Sequence, residues 1–165
     1  MIWFTSDQHF SHSNIIDYCN RPFDDVNEMN EEIIDRHNEV VGPNDTVYNL
    51  GDFAFFRNAD ITEWIDLLNG KQVFIKGNHD KWLGADELPQ ILEITPRVKN
   101  GHKQKVIMCH YPLASWNGSF HGSIHVFGHC HGNYEPKGKS LDVGVDCWDF
   151  YPVSLEQIEE KLNVD

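Results

Sequence analysis

The sequence predicts an α/β sandwich, βαβ in its first half and mostly β in its second. Three observations carry this reading. Short apolar runs of strand length recur along the chain, amphipathic helical stretches separate the first three of them, and turn-forming residues follow the runs. The runs are Ile2-Trp3-Phe4, Val47-Tyr48-Asn49-Leu50, Val73-Phe74-Ile75, Val106-Ile107-Met108 and Ile124-His125-Val126-Phe127.

The first strand begins near Ile2. Residues 11–23 read as a loop with a short helical turn, because Arg21-Pro22 breaks any longer helix. A helix of about 15 residues follows, opened by Asp25 and Glu28 as a capping box. Met29, Ile33, Ile34, His37, Val40 and Val41 share its apolar face, and Gly42-Pro43 ends it. After the second strand, Asp60 and Glu63 repeat the capping pattern for a helix over 60–69. Ile61, Trp64, Ile65 and Leu68 form its stripe and Gly70 its stop. Beyond Pro96 the pattern favours strands, near 105–109, 124–127 and 141–145. Ser154 and Gln157 then open a closing helix with Leu155, Ile158 and Leu162 inward.

The 165 residues, 40% hydrophobic and 24% charged, suit one domain spanning 1–165. No apolar stretch reaches the ~20 residues of a membrane span. The N-terminus has no basic, signal-like region, so a cytoplasmic setting is expected. Cys19, Cys109, Cys130 and Cys147 form no C-x-x-C pair, which argues against a zinc ribbon or thioredoxin-like site and fits a reduced compartment. The net charge of −13 opposes binding of long nucleic acid, which rests on Lys and Arg displacing counterions. The basic tracts at 99–105 and 137–139 are short and read as solvated loops.

Each of the five runs leads into residues that bind metals: Asp7-Gln8-His9, Gly51-Asp52, Gly77-Asn78-His79-Asp80, Cys109-His110 and Gly128-His129-Cys130-His131. Ligands of open α/β sheets gather at the carboxyl ends of strands, so five such ends imply one site. Carboxylate oxygen with imidazole nitrogen suits Mn, Fe, Co, Ni or Zn rather than an all-oxygen Mg or Ca site. Asp7 and His9, like His129 and His131, are two residues apart and in extended backbone project to one side. Cys130 then points away. Asp52 stands alone at a strand end, where its two oxygens can bridge two ions. Two ions ~3.5–4 Å apart clamp the attacking and leaving oxygens of a phosphoryl displacement.

In this order and spacing, D-x-H, G-D, G-N-H-D, a lone H and G-H-x-H resemble the calcineurin-like metallophosphoesterase superfamily, from Asp7 to His131. Single motifs carry little; the ordered set of five is specific. The opening from Phe4 to His12 also resembles small, stand-alone bacterial and phage members. The resemblance implies a β-sandwich flanked by helices in four αββα layers. It implies a dinuclear hydrolase of small phosphodiesters or phosphomonoesters, nucleotides included. By this resemblance Asp7, His9 and His131 hold one divalent ion, Asn78, His110 and His129 hold a second, and Asp52 bridges them. Manganese leads, with iron, nickel, cobalt or zinc as alternatives. A hydroxide between the ions is the implied nucleophile, His79 the general acid, and Asp80 the group that orients His79.

Phosphoprotein phosphatases of the superfamily extend the second motif to G-D-x-x-D-R. This chain reads Gly51-Asp52-Phe53-Ala54-Phe55-Phe56, with aromatics in place of the later Asp and Arg. That disfavours phosphoprotein phosphatase activity. Diesters are favoured over monoesters, since no second basic clamp for a dianion is evident. Candidates to line the substrate are Arg57, one residue late, His12, Asn14 and Arg21 after the first motif, and His121 in the loop at 117–123. His37 and His125 read as packed residues. Two alternatives share the pattern. One is a nuclease-type phosphodiesterase on DNA or RNA, which the acidic charge opposes. The other is a non-catalytic scaffold of the same fold, a class that tends to lose ligands present here. No protein partner is evident.

Overall fold

Phe4, Leu50 and Ile75 pack in one buried cluster with Val106, Met108, Ile124 and Val126, and this contact joins two sheets face to face. A buried side chain of this size contributes about 1.5–3 kcal/mol, and a second cluster around Phe10, Met29, Ile33 and Phe53 buries as many side chains. The computed structural model describes residues 1–98 and 101–162; Lys99 and Asn100, in the first basic tract, lie outside the described residues. In chain order the elements are β1 (Ile2–Thr5), α1 (Asn14–Cys19), α2 (Val26–Val40), β2 (Thr46–Asn49), α3 (Thr62–Asp66), β3 (Lys71–Phe74), β4 (Ile91–Ile94), β5 (Val106–Cys109), β6 (Ile124–Phe127), β7 (Ser140–Asp142), β8 (Val153–Ser154) and α4 (Leu155–Lys161).

The chain is therefore α/β, with two mixed four-stranded sheets flanked by helices. The first has the order β3-β2-β1-β8, with β8 alone antiparallel; the second has the order β4-β5-β6-β7, with β4 alone antiparallel. Alternation sorts the faces. In β1, Phe4 enters the inter-sheet core, while Trp3 joins Val47 and Val41 in a smaller cluster on the other side. In β6, Ile124 and Val126 face the core. His125 is buried elsewhere, its Nδ1 beside the Ile107 carbonyl at 3.1 Å and its Nε2 accepting from Leu113 N–H at 3.1 Å, so it is a packed residue as expected.

Helix α2 runs as the sequence predicts, and Asp25 Oδ1 accepts from the backbones of Asn27 and Glu28. The reciprocal bond is displaced: Glu28 accepts from Asp24 N–H instead. His37 is buried on this helix with its Nε2 2.9 Å from Asn69 O. Helix α3 is shorter than the predicted 60–69. Asn38 of α2 reaches across, donating to Leu67 O and accepting from Asn69 N–H, and so takes over the backbone that would have continued the helix. The capping box at Ser154 and Gln157 is complete. Strands β4 and β8 were outside the sequence reading; β8 has two residues, too few for a period to show. No helix among the described residues is long and apolar enough to cross a membrane.

Candidate metal centre

The loops after β1, β2, β3, β5 and β6 converge at one end of the two sheets. Those after β1 and β2 continue the parallel pairing: Asp7 N–H donates to Gly51 O, His9 N–H to Asp52 O and Phe10 N–H to Phe53 O. The second sheet joins through Val145 N–H to Ser6 O, and Gly128 sits against Ser6 and Asp7. A Cβ on Gly128 would lie 2.0 Å from Ser6 Oγ and 2.3 Å from Asp7 Oδ2; one on Gly77 would lie 2.2 Å from Asp52 Oδ1. These glycines are required by close approach.

Five of the seven candidate ligands do not reach the site from extended backbone, which the two-residue spacing had suggested for Asp7, His9, His129 and His131. Asp7, His9, Asp52, His129 and His131 all have φ between 47° and 70°. Left-handed backbone at non-glycine residues is costly and is held only where surrounding contacts determine it. His129 and His131 consequently separate into different donor groups. Asp7, His9 and His131 form one, and Asp52, His110 and His129 the other. Cys130 belongs to neither.

Asp52 joins the groups through a single atom. Its Oδ1 accepts from His79 N–H at 2.7 Å, while Oδ2 lies 3.6 Å from His9 Nε2 and 3.4 Å from His110 Nε2. Asn78 Oδ1 is 3.0 Å from the same His110 nitrogen. His110 Nδ1 is 2.9 Å from Leu50 O, which fixes its proton on Nδ1. Its Nε2 faces two acceptors, Asp52 Oδ2 and Asn78 Oδ1, so a cation belongs between them: a proton on Nε2, which burial opposes but Asp52 and Asp7 favour, or a metal ion in its place. At the first group, Asp7 Oδ1 and His9 Nε2 are buried with no hydrogen-bond partner, 4.0 Å apart. Two donors each about 2.0–2.2 Å from one ion stand about 3–4 Å from each other, so this gap and these atoms fit a metal. Cys19, His131 and Asp146 also converge, but burial and Asp146 push the Cys19 thiol up to about 11, away from the thiolate a metal needs.

Burial and neighbouring charges shift these donors in different directions. Burial raises Asp7 from 3.8 to about 6 and lowers His9 to about 2, so His9 is neutral. Burial alone would raise Asp52, but the hydrogen bond and charge of His110, with His9, bring it down to about 2. Burial opposes protonation of His131, yet its Asp146 partner, 2.7 Å from Nδ1, raises its pKa. A carboxylate on the far nitrogen of a ligand histidine orients the ring and strengthens its donor atom. Asp146 is the residue at this centre that the sequence does not mark. Its partners His131 and Arg21 lie 15 and 125 residues away, so no local motif announces it.

Three expected roles are corrected. Asp80 does not orient His79: its oxygens accept from the backbones of Gly77, Asp52 and Phe53 and from the Trp82 indole, so it fixes the turns that carry Asp52 and Asn78. Arg21 does not line a substrate pocket. Its side chain is fully buried, forked onto Asp146 at 2.9 Å from both Nε and Nη2, and it donates to the carbonyls of Asp7 and Gln8. His121 sits with Lys105, Ser123 and Lys139, which precede β5, β6 and β7, and so lies at the opposite end of the sheet from the ligands. The crossover from β5 to β6 has carried the chain back by that point. Asn14 is exposed at the start of α1 and makes no hydrogen bond to the centre.

The remaining candidates cluster. His12 Nδ1 lies 3.2 Å from His9 Nδ1, and the His79 ring is 5.4 Å from His9 and 6.1 Å from His12. Arg57 shares a cleft with His79. Asp7, His9, Asp52 and His110 form the buried floor, while Asn78 and His129 are exposed at the rim.

Comparison with known proteins finds 42% identity over 166 residues with the uncharacterized protein MJ1445 of Methanocaldococcus jannaschii, covering 95% of this chain and 88% of that protein. The chain belongs to that protein's family. The MJ1445 family resemblance extends, at 26% identity, to the gene 66 protein of Mycobacterium phage L5, over 98% of this chain and 93% of that one. The crystal structure of the protein of unknown function AQ665 from Aquifex aeolicus shares the fold, with a TM-score of 0.72 at 23% identity and 98% coverage of both chains. No protein-family model matches the chain.

Proposed function

We propose that this chain is a dinuclear metal-dependent phosphoesterase with the αββα layering of the calcineurin-like metallophosphoesterases, acting on small phosphodiesters in preference to monoesters. The observation that carries the reading is Asp52 Oδ2, one oxygen facing both donor groups, beside orphaned Asp7 Oδ1 and His9 Nε2. Asp7, His9 and His131 would hold one ion, His110, His129 and Asn78 the other, and Asp52 both. The nitrogen and oxygen donors fit Mn, Fe, Co, Ni or Zn, and the superfamily resemblance puts Mn²⁺ first. When bound, such a pair supplies Lewis acidity to phosphoryl oxygens and to a nucleophilic water.

The chain's own groups supply the rest. Among the described residues the His79 side chain makes no hydrogen bond, and it stands half-exposed beside His9, so its imidazole is available to donate a proton to a leaving oxygen. The His79 backbone N–H holds Asp52 Oδ1, leaving Oδ2 for the ions. Asp80 keeps both turns in register, and Arg21 with Asp146 keeps His131 aimed.

The test is metal-stripped protein resupplied with Mn²⁺, assayed on bis-p-nitrophenyl phosphate beside p-nitrophenyl phosphate. Turnover that depends on metal and is faster on the diester is expected. Metal stoichiometry well under one ion per chain, with no turnover on either substrate, would overturn the reading.

A further inference from the structure

Where the superfamily's phosphoprotein phosphatases carry Asp and Arg, this chain carries Phe55 and Phe56, and these two side chains line a cleft with Arg57, His79 and Lys81. Phe55 is 49% exposed, unusual for a phenylalanine, yet it is not loose. One face stacks on the buried His12, with ring centroids 4.0 Å apart and planes 8° apart. His12 is in turn beside His9. Phe56 leans on Trp64 of α3. The Phe55 platform is thus set in place before any ligand arrives, 6.0 Å from His79. Arg57 and Lys81 are brought together by a parallel bridge, with Asn58 N–H donating to Lys81 O. Both are exposed, and among the described residues neither forms an ion pair. Two cations outside any ion pair among the described residues, next to a bare aromatic face, stand out on a chain of net charge −13, with Asp86 and Glu87 lining the cleft on their other side.

We infer that this cleft binds the nucleoside part of a nucleotide-type phosphoester, the base on Phe55 and an additional phosphate on Arg57 and Lys81. The inference rests on the phosphoesterase reading for the position of the scissile phosphate. Aromatic faces take any base, and Arg and Lys take phosphate. The cleft holds about 110 Å³, well below the ~300–1,000 Å³ that encloses a whole drug-sized ligand. It therefore takes one ring of the substrate, with the remainder over the metal centre or in solvent.

The test is equilibrium binding of AMP, ribose 5-phosphate and adenosine to full-length, metal-loaded protein by calorimetry. AMP is expected to bind at least about fivefold more tightly than ribose 5-phosphate, the low end of one stacked base. Phe55→Leu, which keeps the apolar packing on His12, should bring the two within about twofold, and Phe55→Trp should retain the difference. Arg57→Gln with Lys81→Gln should weaken adenosine 3′,5′-bisphosphate, which offers these cations a second phosphate, by more than it weakens AMP, and leave adenosine unchanged. Equal binding of AMP and ribose 5-phosphate by the wild type, or a preference that survives Phe55→Leu, would overturn the inference. Hydrolysis of bis-p-nitrophenyl phosphate separates the two ideas. A Phe55-dependent AMP preference without metal-dependent hydrolysis sinks the phosphoesterase reading alone, and hydrolysis without the preference sinks the cleft alone.

Discussion

Asp7→Asn separates the cost of burying a carboxylate from its use. Asp7 is fully buried; Oδ2 accepts from His129 N–H at 2.9 Å, and Oδ1 has no hydrogen-bond partner among the described residues, with His9 Nε2 and His131 Nε2 at 4.0 and 3.9 Å. Burial, aided by Asp52 and opposed by His110 and His131, raises its pKa from 3.8 to about 6. Between those values the native chain holds a proton that the unfolded chain has released. The associated stability is complete below about 3.8 and is lost as pH rises through about 6. The gap corresponds to about 3 kcal/mol once both values are passed. The amide in Asp7→Asn keeps an oxygen for His129 and has no charge to bury. In EDTA at pH 7.5 the variant should therefore be more stable than wild type by about 3 kcal/mol, or roughly 6–12 °C in midpoint. At pH 4 the difference should fall below about 1 kcal/mol. Excess Mn²⁺ should reverse the order, since wild type gains about 4 kcal/mol at a thousandfold excess over Kd while the variant lacks a ligand. Urea unfolding followed by tryptophan fluorescence at both pH values, with EDTA or Mn²⁺, reads all four states. A variant less stable than wild type in EDTA at pH 7.5 would refute the reasoning.

Three further outcomes are expected. Arg21→Met leaves Asp146 without its forked partner and two loop carbonyls unpaired, so it should cost about 3–5 kcal/mol and lower the melting midpoint by about 10 °C. A shift under about 2 °C with a raised KM would instead restore Arg21 to the substrate. Gly128→Ala puts a methyl into Ser6 Oγ and Asp7 Oδ2, and mass spectrometry under native conditions should find less than half the metal that wild type retains. Asp52→Asn and His79→Ala should each lower kcat by about 10²-fold or more in metal-loaded protein. Metal content should fall only in Asp52→Asn, since the His79 side chain is outside both donor groups.

The five strand-and-motif units were legible because each is local: an apolar run and its terminal ligands lie within about ten residues. What the sequence hid is what distant segments do to one another. Arg21 looked like a loop cation near a motif, but its carboxylate partner is 125 residues away and turns it into an internal brace. Asp80 looked like a partner for its neighbour His79, yet three backbone N–H groups reach it first. His121 looked close to the ligands because its loop follows His110. A parallel crossover, though, must return the chain to the start of the next strand. The left-handed turns were also invisible, since Asp and His carry no glycine-like mark of positive φ.

Each donor group takes residues from both sheets, and this sets a timetable for a chain leaving the ribosome. Asp7 and His9 emerge first, yet their partner His131 follows more than a hundred residues later. Asp52 likewise waits for His110 and His129, and the brace on His131 waits for Asp146. A nascent chain thus offers passing cations only isolated acids and imidazoles, with no pocket to hold them. On the proposed reading, metal selection would fall to the finished fold, made by its shape and its competition with cellular buffers rather than by whichever ion meets the peptide first.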